Sequence, residues 1–343
     1  MKAFWKKYTL NFKQPAGTSR GVLRTKDSYF LFLEDGNKKG IGECGLLKGL
    51  SADDRPDYEV KLNWLTENVQ RPSEELFGEL AEFPSIQFGL EMALLDLKSE
   101  EHILCPSEFT AGIAMQPING LIWMGDTNFM NQQVGDKIDA GFKVLKMKIG
   151  AIGLQQEMEI LKSIRKEFMA TELELRVDAN GAFTPGEALE ILNRLADLQI
   201  HSIEQPIKTK QWHEMAALCE SSPIDIALDE ELIGLFQSAE RRKLLHDVKP
   251  AYIIIKPSFI GGFRGSEEWI NMAEELNIGW WATSALESNV GLSAIAQWNF
   301  TKNNNLPSGL GTGSLYTNNF DSPLKVKDGG LWYNPQTEWQ IDL

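Results

Sequence analysis

The sequence predicts an α/β fold, a barrel of alternating strands and helices preceded by a small α+β domain. Three observations carry this. The first hundred residues read as strands and then helices. From about residue 118, short apolar runs alternate strictly with helix-like segments. The ends of those runs recur at steps of roughly 24–30 residues, room for one strand, one helix and two loops. At 343 residues the chain is about two domains long and can bury a sizeable core without staples.

Residues 3–12, 21–34 and 39–43 read as strands, rich in aromatic and β-branched side chains. Pro15-Ala16-Gly17 and Asp35-Gly36-Asn37 break them. A helix is predicted over 84–97. Pro84-Ser85 opens it, and Ile86, Leu90, Ala93, Leu94 and Leu97 share one face. The barrel strands are predicted at Leu121–Trp123, Val144–Lys148, Leu173–Asp178, Ser202–Glu204, Ile226–Asp229, Ile253–Lys256, Trp280–Thr283 and Gly309–Gly313. Helical stretches such as Gln155–Phe168, Pro185–Leu198, Trp212–Cys219 and Glu267–Leu276 lie between them. An open doubly wound sheet is the alternative. It is disfavoured because no G-x-G-x-x-G stands in a βα turn, and the lone pair Gly261-Gly262 reads as a tight turn.

The charge balance narrows the partners. With 34 Lys plus Arg against 48 Asp plus Glu, the net charge is −14, which repels phosphate backbones and anionic membranes. No run of apolar residues is long enough for a transmembrane helix, and the first fifteen residues lack the apolar core of a secretory signal. Cys44, Cys105 and Cys219 are odd in number and far apart, which fits a reducing, cytoplasmic compartment. The expected partner is a small-molecule carboxylate substrate, with no nucleic acid and no membrane. Oligomeric state is not written in the sequence.

The chemistry sits at the C-terminal ends of the predicted strands. Lys146 and Lys148 end the second, Asp178 the third, Glu204 the fourth, Asp229 the fifth and Lys256 the sixth. In a barrel these ends ring one mouth, where active sites are built. A single carboxylate at a strand end is ordinarily a helix N-cap. Three on successive strands, flanked on both sides by lysines, are hard to explain as three caps. Asp178, Glu204 and Asp229 offer oxygen ligands to a hard cation, Mg²⁺ with Mn²⁺ as a substitute, and no histidine or cysteine accompanies them to favour zinc. Asn180 and Glu230 are candidates for the layer behind the ligands, although Glu230 also reads as a cap.

Lys146 and Lys148 share a strand face, with Met147 opposite. If they face the interior, each ammonium beside the other and a divalent metal is expected to have a lowered pKa, suiting a general base. Lys256, four strands away, approaches from the opposite side. Alone, each lysine also reads as a snorkelling surface residue, but the run Tyr252-Ile253-Ile254-Ile255 argues against that for Lys256. Lysines on either side of three acids suit removal of a proton next to a carboxylate, with metal stabilisation of the enediolate.

Lys146-Met147-Lys148, Asp178-Ala179-Asn180, Glu204-Gln205-Pro206, Asp229-Glu230 and Lys256-Pro257 together resemble the enolase superfamily, in its muconate-lactonizing-enzyme subgroup. The resemblance covers nearly the whole chain. It implies a modified TIM barrel, (β/α)7β, over 108–317, and an N-terminal α+β capping domain over 1–107 joined by the tail 318–343. It also implies roles. Asp178, Glu204 and Asp229 would bind Mg²⁺. Lys148 would remove the α-proton and then, as acid, help hydroxide leave from the same face. Lys256 would stabilise the enolate from the other face, and Lys146 would touch the substrate carboxylate and tune Lys148.

Within the subgroup, Ser284-Ala285-Leu286-Glu287-Ser288 and Gly309-Leu310-Gly311-Thr312-Gly313 look most like the menaquinone-pathway dehydratases. These convert 2-succinyl-6-hydroxy-2,4-cyclohexadiene-1-carboxylate to 2-succinylbenzoate and water. Mandelate-racemase-like members use a late histidine, and none follows His246 here. Dipeptide epimerases carry Asp-x-Asp after the eighth strand, where this chain has Gly313-Ser314-Leu315-Tyr316. N-succinylamino-acid racemases share all the catalytic positions and remain an alternative. Outside the superfamily, a Schiff-base aldolase using Lys256 leaves three metal-type acids unexplained, and a non-catalytic barrel would be expected to lack one of the charged strand ends.

Substrate selection is expected in the capping loops. Residues 13–21 read as a lid carrying Arg20 towards a second carboxylate, and 42–49 as a second lid segment. Ser284 and Gly311 are expected in the pocket wall. Cys44 is expected to be inert, and Ser284 has no histidine in view to make it a nucleophile.

Overall fold

A computed structural model of the chain describes residues 1–18, 21–150 and 153–343. It begins with an antiparallel sheet, β1 (Lys2–Thr18), β2 (Gly21–Asp35) and β3 (Lys38–Cys44), in that order. β1 and β2 pair from Lys2↔Glu34 to Thr18↔Gly21, with a register shift between Asn11 and Ala16. Pro15 falls within the shift, because it has no N–H to give the ladder. The loop conformation expected over 13–21 is therefore corrected: its described part is the end of a long hairpin, while Ser19 and Arg20 lie outside the described residues.

Three helices follow, α1 (Tyr58–Asn68), α2 (Ser73–Glu79) and α3 (Pro84–Asp96). Leu31 and Leu33 of β2 meet Leu62, Leu65, Ile86 and Leu90 in one buried cluster. The α3 face is the one that the apolar spacing predicted, with Leu94 only partly buried. β3 and α3 approach so closely that glycine is required. A Cβ on Gly42 would lie 1.9 Å from the carbonyl oxygen of Gly89, and one on Gly40 2.2 Å from that of Ala93.

After the short β4 (Gln116–Pro117), strands and helices alternate. They are β5 (Gly120–Ile122), α4 (Thr127–Asp139), β6 (Val144–Lys148), α5 (Leu154–Glu167), β7 (Glu174–Asp178), α6 (Pro185–Ala196) and β8 (Ser202–Glu204). Next come α7 (Trp212–Ser221), β9 (Asp225–Leu228), α8 (Ser238–Val248), β10 (Tyr252–Ile255), α9 (Pro257–Ile260), α10 (Gly262–Glu275), β11 (Gly279–Ala282) and α11 (Asn289–Thr301). Strands β5 to β11 form one parallel sheet in sequence order. Parallel bridges Thr283↔Gly309 and Ile118↔Ser308 close it into a barrel. The eighth strand is thus reduced to Ser308 and Gly309, shorter than the predicted 309–313. The fold is the (β/α)7β barrel with a separate N-terminal α+β sheet.

The period-two alternation sorts side chains between interior and helix layer. Met147 joins the core shared with α5, while Lys146 and Lys148 point inward. Below them Ala227, Ile254 and Trp281 fill the interior, with the Arg176 guanidinium 4.3 Å from the Trp281 ring. The C-terminal segment ties both parts together. Asn318 donates to Thr9 O and accepts from Asn11 N, each at 2.8 Å. β12 (Leu324–Lys327) and β13 (Gly330–Tyr333) pair onto β4. No helix among the described residues is long and apolar enough to cross a membrane.

Candidate active site

The register of the barrel builds the site. Lys148 of β6 pairs with Asp178 of β7, and Asp178 with Glu204 of β8, so their side chains stand in one row at the mouth. Asp229 and Lys256 follow immediately after β9 and β10. The carboxylates of Asp178, Glu204 and Asp229 are buried, with one oxygen of each within 4.8 Å of the others. Three such groups sharing one small volume repel each other unless cations intervene.

The lysines supply that charge. Lys146 Nζ lies 3.1 Å from Asp178 Oδ2 and donates to Glu204. Lys148 Nζ donates to Asp178 Oδ2 at 3.0 Å and to Asn180 Oδ1 at 2.7 Å, and Lys256 donates to Asp229. Burial disfavours the charged form of Lys146, but Asp178, Glu204 and Asp229 outweigh it and raise its pKa. For Lys256 burial is again opposed, chiefly by Asp229, and the pKa is raised. The expected lowering is therefore corrected for Lys146: the carboxylates dominate the repulsion between ammoniums. Asp178 is held well below the usual carboxylate range, because the ammoniums of Lys146, Lys148 and Lys256 overcome its burial. Glu204 is pushed up to about 7 by burial, against the pull of Lys146.

The donor set fits a divalent cation. The buried Glu204 Oε1 has no hydrogen-bond partner among the described residues, which is costly unless a cation takes it. Three carboxylates without histidine or cysteine suit a hard ion.

The next layer is partly as expected. Asn180 Nδ2 donates to Glu230 Oε1 at 2.9 Å, linking Lys148, Asn180 and Glu230 in one chain. Gln205 is a residue that sequence reasoning missed. Its Oε1 accepts from Asp229 N at 3.3 Å and Glu231 N at 3.2 Å, fixing the backbone that carries Asp229. Asn180 (φ 45°) and Gln205 (φ 40°) both adopt the left-handed region, a strain the surrounding bonds hold in place.

A cavity of about 290 Å³ opens over this centre. Leu121, Trp123 and Phe259 give it apolar walls, and Ser284 and Gly311 line it as expected. Ser284 Oγ is 2.7 Å from Thr312 Oγ1 with no histidine beside it. The N-terminal domain contributes Gly21–Leu23 and Leu47–Leu50. The second lid segment is thus corrected. Only its later part, Leu47–Lys48-Gly49 and the following Leu50, faces the cavity, because Gly42–Cys44 complete β3. Arg20 lies outside the described residues. Cys44 is fully buried, and burial pushes its thiol well up, as an inert side chain requires.

Two carboxylates of the N-terminal domain hold it on the barrel. Glu43 accepts from Ser288 N (2.9 Å), Ser288 Oγ and Gly291 N (3.0 Å) at the start of α11. Glu91 accepts from Phe263 N and Arg264 N at the start of α10. Helix N-termini favour such negative groups. Ser284 stands in the loop before α11, and Lys256 just before α9, the short helix that precedes α10.

Comparison with known proteins agrees with this geometry. Residues 130–336 match the family model of the enolase C-terminal domain-like fold, and residues 2–97 that of the MenC N-terminal domain. The chain is 46% identical to an o-succinylbenzoate synthase of Desulfotalea psychrophila, over 96% of this chain and 98% of that protein. A crystal structure of MenC from Desulfotalea psychrophila superposes with a TM-score of 0.86 at 40% identity, covering 97% of this chain and 99% of that one. The L-Ala-D/L-Glu epimerase of Bacillus subtilis shares the fold, at 18% identity and a TM-score of 0.84 over 99% of this chain and 100% of its own. The chain belongs to the o-succinylbenzoate synthase family of the enolase superfamily.

Proposed function

We propose that the chain dehydrates 2-succinyl-6-hydroxy-2,4-cyclohexadiene-1-carboxylate to 2-succinylbenzoate, a step towards menaquinone, with Mg²⁺ held by Asp178, Glu204 and Asp229. The observation that carries this reading is the row of three buried carboxylates flanked by Lys148 and Lys256, four strands apart in an eight-stranded barrel. When bound, the divalent ion supplies positive charge for the substrate carboxylate and for the negative charge that grows on it.

The chain's own residues do the rest. Lys148, as the free amine, takes the proton from the carbon next to the carboxylate. As an ammonium it then gives that proton to the departing hydroxide on the same face, so water leaves and no external acid is needed. Asn180 and Asp178 hold the Lys148 Nζ in place at 2.7 and 3.0 Å. Lys256 keeps its proton beside Asp229 and presents a cation to the opposite face of the ring. Lys146, buried against Asp178 and Glu204, balances their charge at the carboxylate end. Apolar walls exclude water from the anionic intermediate. Gain of an aromatic ring drives the reaction forward. The three cysteines form no disulfide, in keeping with a cytoplasmic enzyme.

The two opposed lysines also suit a two-base racemisation, so the test must separate the readings. Purified protein mixed with the cyclohexadiene acid should show magnesium-dependent loss of diene absorbance, stopped by chelator. Little turnover with metal still bound overturns the dehydratase reading in favour of racemisation of N-succinylamino acids.

A further inference from the structure

Glu231 follows Asp229 by two residues, in the 3-10 turn Glu230–Leu232, and only 4% of it is exposed. Its Oε1 accepts from Lys210 N and from the Trp212 indole N–H, both at 2.7 Å. Its Oε2 accepts from Gln205 Nε2 at 3.1 Å. All three partners are uncharged N–H donors, and a buried carboxylate held by neutral groups is costly to keep. What it provides is two acceptor oxygens, where an amide offers one acceptor and one donor.

Gln205 shows why that polarity matters. Glu204 pairs with Ala227 in the parallel register, and Gln205 N donates to Ala227 O at 2.9 Å. A regular ladder would next bond Asp229 N to the Gln205 carbonyl. The left-handed backbone of Gln205 turns that carbonyl to Gly181 N instead, at 2.7 Å. The side-chain Oε1 takes its place, accepting from Asp229 N at 3.3 Å and Glu231 N at 3.2 Å. This substitution holds while the amide points Oε1 at the Asp229 backbone. Its Nε2 end is fixed by two acceptors, Glu231 Oε2 and, at 3.0 Å, Ile207 O. Lys210, also left-handed at φ 66°, ends the same loop just before α7. Glu231 therefore ties the loop that follows Glu204 to the turn that follows Asp229.

We propose that Glu231 is a positioning residue for the divalent ion. By accepting from Gln205 it fixes the direction of that amide, and through it the backbone of Asp229 relative to Glu204. This rests on the metal site of the proposed function and goes beyond it, since both oxygens of Glu231 are already engaged by N–H donors. Glu231→Gln keeps the size of the side chain but sets an NH2 group against Gln205 Nε2, or against Lys210 N and the indole. Gln205 answers the first conflict only by turning its own amide, which puts NH2 against Asp229 N.

Calorimetric titration of the chelator-stripped chain with magnesium alone, without substrate, tests this. Glu231→Gln should weaken magnesium about tenfold. Gln205→Glu sets two carboxylates against each other and should weaken it as well. Together the two changes restore donor against acceptor, with Ile207 O alone losing its donor, so the double variant should recover most of the wild-type affinity. A role confined to charge predicts a different pattern. Losing a carboxylate then weakens the cation, gaining one strengthens it, and the double variant shows the product of the two changes. That pattern, or wild-type affinity in Glu231→Gln, overturns the proposal. A wild type that binds no magnesium overturns the metal site and the proposal with it. Glu231-dependent magnesium binding in a chain that does not dehydrate the diene overturns the reaction and leaves the positioning role standing.

Discussion

Lys148 reaches two partners. Asp178 and Asn180 both accept from its nitrogen, and Glu230 accepts from the Asn180 amide behind it. Removing the proposed base, Lys148→Ala, should lower kcat by a factor on the order of 1000 or more. Metal affinity should survive, because Asp178, Glu204 and Asp229 remain. Stopped-flow decay of the diene alongside a metal titration separates the two effects. Asn180→Ala leaves the base but loosens its aim, so kcat should fall by about 10- to 100-fold. The clustering of the candidates Asp178, Glu204, Asp229 and Lys256 was legible because each is charged and ends an apolar run, where charge has no structural reason to be. Gln205 was not legible, because an uncharged amide at a strand boundary reads as turn chemistry, and only the structure shows its Oε1 accepting from Asp229 N and Glu231 N.

Strands and helices were legible wherever their pattern is local. The first seven barrel runs were placed to within a residue or two, because each buried strand is a short apolar stretch followed by a helix of period 3.6. The hairpin beyond Asn11 was misread as a loop. Pro15 and two glycines give a loop's composition, yet the strand resumes past the register shift through pairing with β2 that no local pattern encodes. The docking of the N-terminal domain is also non-local. Glu43 closes β3, but its three donors lie at the start of α11. It also neutralises the buried Lys26, whose Nζ is 3.8 Å away and bridged through Ser28. Glu43→Ala strands that ammonium and uncaps α11 together, and should cost about 3–5 kcal/mol in urea unfolding. Glu43→Gln keeps an acceptor for the helix and should cost clearly less. Equal losses would mean that the charge opposite Lys26 carries the whole effect and the acceptor offered to α11 none of it.

At the scale of the whole molecule, α3 joins the two parts, and a buried carboxyl works at each of its contacts. Asp53 accepts from Ser85 N at 2.8 Å and Ser85 Oγ at 2.7 Å where the helix begins. Glu91 reaches from its middle to the start of α10. Burial dominates both and raises them, Asp53 from 3.8 to about 6 and Glu91 from 4.5 to about 7. Each therefore holds its proton more tightly in the folded chain than in the unfolded one. Between about pH 4 and 7 the native state binds more protons, so their stabilising contribution is complete at low pH and is lost as pH rises through the folded values. The Asp53 shift corresponds to a change on the order of 3 kcal/mol. Asp53→Asn keeps an oxygen for Ser85 but cannot ionise, so it should gain on the wild type by about that much between pH 4 and pH 8. Urea unfolding at the two pH values measures the difference, and equal wild-type and variant pH dependence would show that Asp53 ionises without cost to the fold.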